Sequence, residues 1–252
     1  MDPRTEGRAG TLLKLAATVL VAGALLAGVL FPWVGVPSVA AQQSTSLFGD
    51  LPGVITEGPP GNTVMLAANG DPITWFYDEN RQPVPGDQIA EVMKQAMVAV
   101  EDARFYEHHG LDVQGTLRAL VTNLRAGGVQ EGGSTLTQQL VKQTLLQTAQ
   151  TPEERRSATE QTVGRKLREA RLALALEDEI SKDEILTRYL NLVYFGQNAY
   201  GVQPAARAFF GVDASALTLT QAALLAGLVQ SPANDDPFTA PEAATARRNE
   251  VL

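Results

Sequence analysis

The chain has 252 residues, 44% hydrophobic and 19% charged, enough for a well-buried core in one large domain or two small ones. A net charge of −8 argues against nucleic acid as a main partner, although a local basic patch is still compatible with a phosphate. There is no cysteine, which removes disulfides, thiolate metal sites and cysteine nucleophiles.

Leu15 to Val36 is a run of 22 residues without a charge, and about 20 apolar residues suffice to cross a bilayer. Arg4, Arg8 and Lys14 precede it, and the next basic residue is Arg81. The positive-inside rule therefore leaves residues 1–14 in the cytoplasm and everything after residue 36 outside, with Trp33 at the outer interface. The rival reading is a signal peptide cleaved after Val39-Ala40-Ala41. Residues 37–62, rich in Pro, Gly, Ser and Gln, read as a stalk. Two β-prone runs flank Asn69-Gly70, the signature of a hairpin.

From Ile89 onward the pattern turns helical and stays so. Ile89, Val92, Met93, Ala96, Met97 and Val100 follow i, i+3, i+4 spacing, and the helix is predicted to end near Arg104. That places Glu101 and Asp102 in its last turn, where carboxylates oppose the helix dipole. Met97, Glu101 and Phe105 share a face, so Glu101 borders apolar side chains, the environment that prepares a carboxylate for acid–base chemistry. A solvated acidic helix end is the plainer alternative. His108 and His109, the whole histidine supply, are too few to argue for a metal.

Asp112 is a candidate N-cap for a helix carrying Leu117, Leu120, Val121 and Leu124 on one face and closed by Gly127. Capping boxes are predicted at Thr135/Gln138, Ser181/Glu184 and Thr218/Gln221. In GGSTLTQQLVKQ, Ser134, Thr135, Gln138, Gln139 and Lys142 fall on one arc, opposite Leu136, Leu140 and Thr144. Such a helix start suits an anion or a sugar, and the preceding Gly128–Gly133 segment reads as a lid. One long charged helix is predicted from Pro152 to Glu179. Within it Arg165, Lys166 and Glu169 converge on one edge: either a salt-bridged surface or a carboxylate with two cations suited to a diphosphate, with or without a divalent metal. Tyr189, Leu190, Val193 and Tyr194 read as core interrupted by polar Asn191, and the apolar helix before Pro232 also reads as core.

The ordered set EDARFYEHHG, GGSTLTQQLVKQ, RKLREA, ILTRYLNLVYFGQNAYG and LLAGLVQSP, over residues 98–237, resembles the peptidoglycan glycosyltransferase domain of class A penicillin-binding proteins, glycosyltransferase family 51. The resemblance implies a mainly α, lysozyme-like domain at residues 88–252, a stalk with a small β-hairpin at 37–87, and one transmembrane helix at 15–36. It also implies a single-pass cell-membrane protein with an extracytoplasmic domain that polymerises lipid II. In the family the 4-hydroxyl of the acceptor GlcNAc attacks C1 of the donor MurNAc, undecaprenyl diphosphate leaves, and a β-1,4 bond forms with inversion.

On the same resemblance Glu101 is the general base and Glu169 the second catalytic carboxylate. Asp102, His108, Ser134, Thr135, Gln138, Gln139, Lys142, Arg165, Lys166, Asn191 and Tyr194 are the substrate-binding set, with Asp102 and His108 supporting the loop. His109 matches no fixed family position and is read as incidental. No cofactor is obligatory; Mg or Mn at Glu169 is the metal expectation. The implied partners are lipid II and the growing lipid-linked glycan, the membrane, and elongation or division proteins, with no nucleic acid.

Gln143, Thr187, Val212 and Asp235 depart from residues common in the family without removing a proposed catalytic group. No serine begins an SxxK motif, so the transpeptidase signature of the bifunctional proteins is missing, and the chain is expected to be a truncated copy or a monofunctional enzyme. The alternatives are a lysozyme-like hydrolase and a catalytically silent, membrane-anchored scaffold that holds lipid II.

Overall fold

The computed structural model describes residues 61–127, 132–160 and 162–252. The candidate span at 15–36, most of the stalk and much of the candidate lid (128–131) lie outside these residues. Among the described residues, no helix is long and apolar enough to cross a membrane.

Strands β1 (Thr63–Leu66) and β2 (Pro72–Phe76) form the antiparallel hairpin expected around Asn69-Gly70, with Val64 opposite Trp75. Gly70 turns the chain with φ 90°, and the Asn69 side chain accepts from the Asp71 amide at 3.1 Å, which fixes the turn. A second, three-stranded sheet was not anticipated. There β3 (Asn80–Arg81) runs parallel to β5 (Ala199–Tyr200), which is antiparallel to β4 (Tyr194–Gly196). The β4–β5 turn uses Gln197 and Asn198, both at positive φ, where the commoner hairpin signal is Asn-Gly. The helical run after Ile89 is therefore interrupted.

Nine α-helices make up most of the described residues: α1 (Glu91–Glu101), α2 (Val113–Ala126), α3 (Leu136–Gln147), α4 (Pro152–Thr159), α5 (Val163–Glu179), α6 (Lys182–Leu192), α7 (Val202–Phe210), α8 (Leu219–Leu228) and α9 (Pro241–Val251). The fold is mainly helical, as expected. Helix α8 is the apolar one; Ala222, Leu225, Ala226 and Leu228 are buried, and it packs on α1 and α9. Helix α3 packs on α5 and α6. Met93, Met97, Phe105, Leu136, Leu140, Leu176, Ile185, Tyr189 and Phe195 complete one continuous core. Each large side chain there contributes about 1.5–3 kcal/mol by leaving water.

Several predicted boundaries move. Helix α1 stops at Glu101, because Asp102 turns its carboxylate into other hydrogen bonds and serves as C-cap. The predicted 152–179 helix is two, since the Thr162 hydroxyl caps α5 by accepting from the Arg165 amide at 3.2 Å. Helix α8 ends at Leu228, before Pro232 is reached. The apolar stripe of α2 is exposed among the described residues, Leu124 being 66% accessible, so its periodicity marked a face and not a core contact. Tyr194 is 37% accessible and sets its ring at a tilt 4.7 Å from that of Tyr200 instead of entering the core. The Thr135 and Thr218 capping boxes form in full; at Ser181 only the hydroxyl-to-Glu184 amide half is made.

Candidate active site

A cleft of about 620 Å³ lies where the end of α1, the start of α3 and one edge of α5 meet. Ten of the thirteen predicted residues line it: Glu101, Asp102, Ser134, Thr135, Gln138, Gln139, Lys142, Arg165, Lys166 and Glu169. His108, Asn191 and Tyr194 do not. Asn191 instead bridges α6 to the chain before α1, accepting from the Val84 amide at 2.9 Å and donating to the Val84 carbonyl at 2.8 Å. It ties the two segments together, and Asn191 and Tyr194, expected to bind substrate, lie outside the lining of this cleft.

The two acids of the first motif occupy different environments. Glu101, half-buried at the end of α1, accepts from Gln139 Nε2 at 2.8 Å. Asp102 is buried; it accepts the Leu136 amide at 3.1 Å and faces His108 Nε2 at 3.0 Å. A carboxylate held by a helix N-terminal amide and an imidazole is anchored, so Asp102 acts in the architecture of the loop. His108 is the residue behind that anchor. The His109 ring lies 3.5 Å from Glu177 and 3.1 Å from Asp178, beside the end of α5.

The start of α3 follows from its capping box. Thr135 Oγ1 accepts from the Gln138 amide at 3.2 Å and donates to the Gly110 carbonyl at 2.7 Å, while Gln138 Oε1 accepts from the Thr135 amide at 3.1 Å. Both side chains are buried, so they shape the cleft floor more than they offer groups to a ligand. Gly110 must be glycine: its φ is +64° and a Cβ would meet the Leu174 backbone at 2.8 Å.

Along α5, Glu169 is 3% accessible and pairs with both neighbouring cations, Arg165 through Nη1 and Lys166 through Nζ at 3.3 Å. Lys166 also donates to Ser134 Oγ at 2.5 Å, joining the second and third motifs. Burial, then the charges of Arg165 and Lys142, push the Lys166 ammonium down to about 8. Three cations crowded at one edge repel one another, and a bound polyanion relieves that repulsion.

The protein by itself offers a divalent cation a single carboxylate, and magnesium is usually held by one or two carboxylates together with substrate phosphate oxygens. Glu169 is one carboxylate with both oxygens ion-paired, and among the described residues no group of three His, Cys, Asp or Glu is placed to hold a metal.

Arg104, Arg118, Gln230 and Arg247 also line the cleft and were missed. Arg104 sits inside the first motif, where it marked only the predicted end of the helix. Gln230 and Arg247 arrive from the end of α8 and from α9, and no local spacing signals them. Arg247 donates to Gln230 Oε1 at 2.9 Å, so the pair closes that side of the cleft together.

Comparison with known proteins gives a transglycosylase family model matching residues 69–252. Penicillin-binding protein 1A/1B of Bacillus subtilis (strain 168) is 46% identical over 194 residues, which is 77% of this chain and 20% of that protein. Penicillin-binding protein 1A of Escherichia coli (strain K12) is 41% identical over 188 residues, 75% of this chain and 21% of that one. A crystal structure of penicillin-binding protein 1A from Haemophilus influenzae, 20% identical, covers 77% of this chain and 18% of its own, with a TM-score of 0.39 that carries no weight here. The chain spans about a fifth of the length of these curated relatives.

Proposed function

The chain belongs to the transglycosylase family of peptidoglycan glycosyltransferases, and from that premise we propose that it polymerises lipid II into β-1,4-linked glycan with release of undecaprenyl diphosphate. Glu101 takes the proton from the acceptor 4-hydroxyl as that oxygen attacks C1 of the donor sugar. Lys142, Arg165 and Lys166 face the diphosphate. Their charge acts mainly as negative charge builds on the leaving group, so it serves the transition state more than ground-state binding. Glu169, buried beneath two of these cations, orients them and is a positioning residue in this reading. Magnesium or manganese would come with the substrate's diphosphate, and Glu169 is the one candidate protein ligand.

One observation carries this reading: a half-buried glutamate lines the same cleft as the cations Lys142, Arg165 and Lys166. A hydrolase of the lysozyme type releases a sugar hydroxyl and has no use for the cations. A silent scaffold has no use for a glutamate oriented by Gln139. The finer assignments belong to the same proposal: a lysozyme-like topology, residues 88–252 as the catalytic domain, an anchor at 15–36 with the domain outside the cell membrane, and recruitment by elongation or division proteins.

Polymerisation of fluorescent lipid II in detergent tests it. The wild type should give long, muramidase-sensitive chains, and Glu101→Gln should lose about 10²–10⁴-fold in rate, the usual worth of a general base. Wild-type turnover by Glu101→Gln would sink the assignment.

A further inference from the structure

The base candidate is connected to the protein core through a chain of two hydrogen bonds. Gln139 Nε2 donates to Glu101 Oε2 at 2.8 Å, and Gln139 Oε1 accepts from the Tyr189 hydroxyl at 3.0 Å. Glu101 and Gln139 line the cleft, whereas Tyr189 does not; it is wholly buried on α6 among the core side chains. Among the described residues, that hydroxyl makes no other hydrogen bond, and Glu101 has no other side-chain partner.

A primary amide has two faces. The NH₂ end pairs with a carboxylate, and the carbonyl end pairs only with a carboxylic acid or another donor. What selects the face shown to Glu101 is the group at the other end of the amide. Were Gln139 reversed, its NH₂ would point at the Tyr189 oxygen, and the phenolic hydrogen would lose its acceptor inside the core, an unfavourable state. Burial, and secondarily the charge of Glu101, pushes the Tyr189 phenol well above its ordinary value, so it stays a donor at any working pH.

We propose that Tyr189 is a positioning residue for the reaction: it fixes the Gln139 amide so that the NH₂ end holds one oxygen of Glu101 and leaves the other for the incoming sugar hydroxyl. This rests on Glu101 being the base. Tyr189 reaches no substrate; it supplies the polarity of the amide, and a core tyrosine thereby sets the geometry of a cleft carboxylate. Gln139, grouped with the substrate-binding residues on sequence grounds, works in this scheme between the core and the base.

The test is steady-state polymerisation by the detergent-solubilised full chain, with variants Tyr189→Phe, Gln139→Ala and both together. Tyr189→Phe keeps the ring and its packing. It should lower kcat about 3- to 10-fold, the worth of one neutral hydrogen bond, with KM unchanged. Because Tyr189 acts only through Gln139, the double variant should turn over no more slowly than Gln139→Ala alone. An unchanged kcat in Tyr189→Phe, a loss carried wholly by KM, or full additivity in the double variant overturns the proposal. If Tyr189→Phe does not fold, Gln139→Met cuts the chain at its other link and must lose at least 3-fold in kcat; a smaller loss also overturns it. Glu101→Gln separates the two readings. If it is active, the base assignment fails; if it is inactive while Tyr189→Phe keeps wild-type kcat, only the role of Tyr189 fails.

Discussion

The Asp102 carboxylate accepts the backbone N–H of Leu136 at 3.1 Å, so the first and second motifs are joined by a bond at the first residue of α3. An anion at that position satisfies an amide that a helix leaves without an internal partner and complements the helix dipole. With His108 on its other side, Asp102 is held where it cannot reach out as a base, and Glu101, one residue earlier, is turned into the cleft.

Asp102→Ala should therefore destabilise the domain by about 2–4 kcal/mol, because it leaves a buried amide and imidazole without their acceptor. Asp102→Asn should cost less, since its carbonyl oxygen can still accept from one of them. Urea unfolding measures both, and an Asp102→Ala midpoint equal to that of the wild type would contradict the anchoring role.

On the proposed function, Lys166 should set an alkaline limit. Its ammonium, pushed down to about 8 by burial and by Arg165 and Lys142, is charged below that pH and neutral above it. The cleft loses a cation from the edge proposed to face the diphosphate as pH rises through about 8, so kcat/KM should fall there. A guanidinium stays charged throughout, and Lys166→Arg should move that limb to higher pH even if its plateau is lower. Identical alkaline limbs in the two proteins would rule out Lys166 as the group responsible.

Glu177 links the loop of the first motif to three helices. Its side chain is 2% accessible; the Thr137 hydroxyl donates to it, Lys182 Nζ approaches at 2.9 Å, and Lys182 also lies 4.4 Å from the Phe105 ring centre. Burial pushes the carboxyl up, but the bonds from Lys182, Thr137 and the Gly110 amide outweigh it and leave it below its ordinary value. A depressed carboxyl contributes stability above the ordinary range, about pH 4, and loses it as pH falls through the lower folded value. Glu177→Ala, which leaves Lys182 without its buried partner, should cost about 3–5 kcal/mol. Glu177→Gln should flatten the acid limb of the stability–pH curve; an unchanged limb would show that the acid sensitivity lies elsewhere.

What the sequence by itself determined was local. Hydrophobic spacing marked α1, α6 and α8, side-chain oxygens marked the starts of α2, α3 and α8, and the order of five motifs pointed to the family and to Glu101, Lys142, Arg165, Lys166 and Glu169. These signals work because i, i+4 spacing and cap bonds are formed within a few residues. What only the tertiary structure decided lies between distant segments. It separated the roles of the two acids, through Leu136 for Asp102 and Gln139 for Glu101. It bonded Asn191 to Val84 outside the cleft lining, brought Arg247 to the cleft from α9, and gave His109 two carboxylate neighbours. It also left the stripe of α2 exposed, because periodicity fixes which side chains share a face but not what that face meets. The AMVAVEDARFYEHHG stretch carries Glu101, Asp102 and both histidines, yet partners of Asp102, Glu101 and His109 sit 34, 38 and 69 residues further along the chain, and packing alone brings them within hydrogen-bond reach.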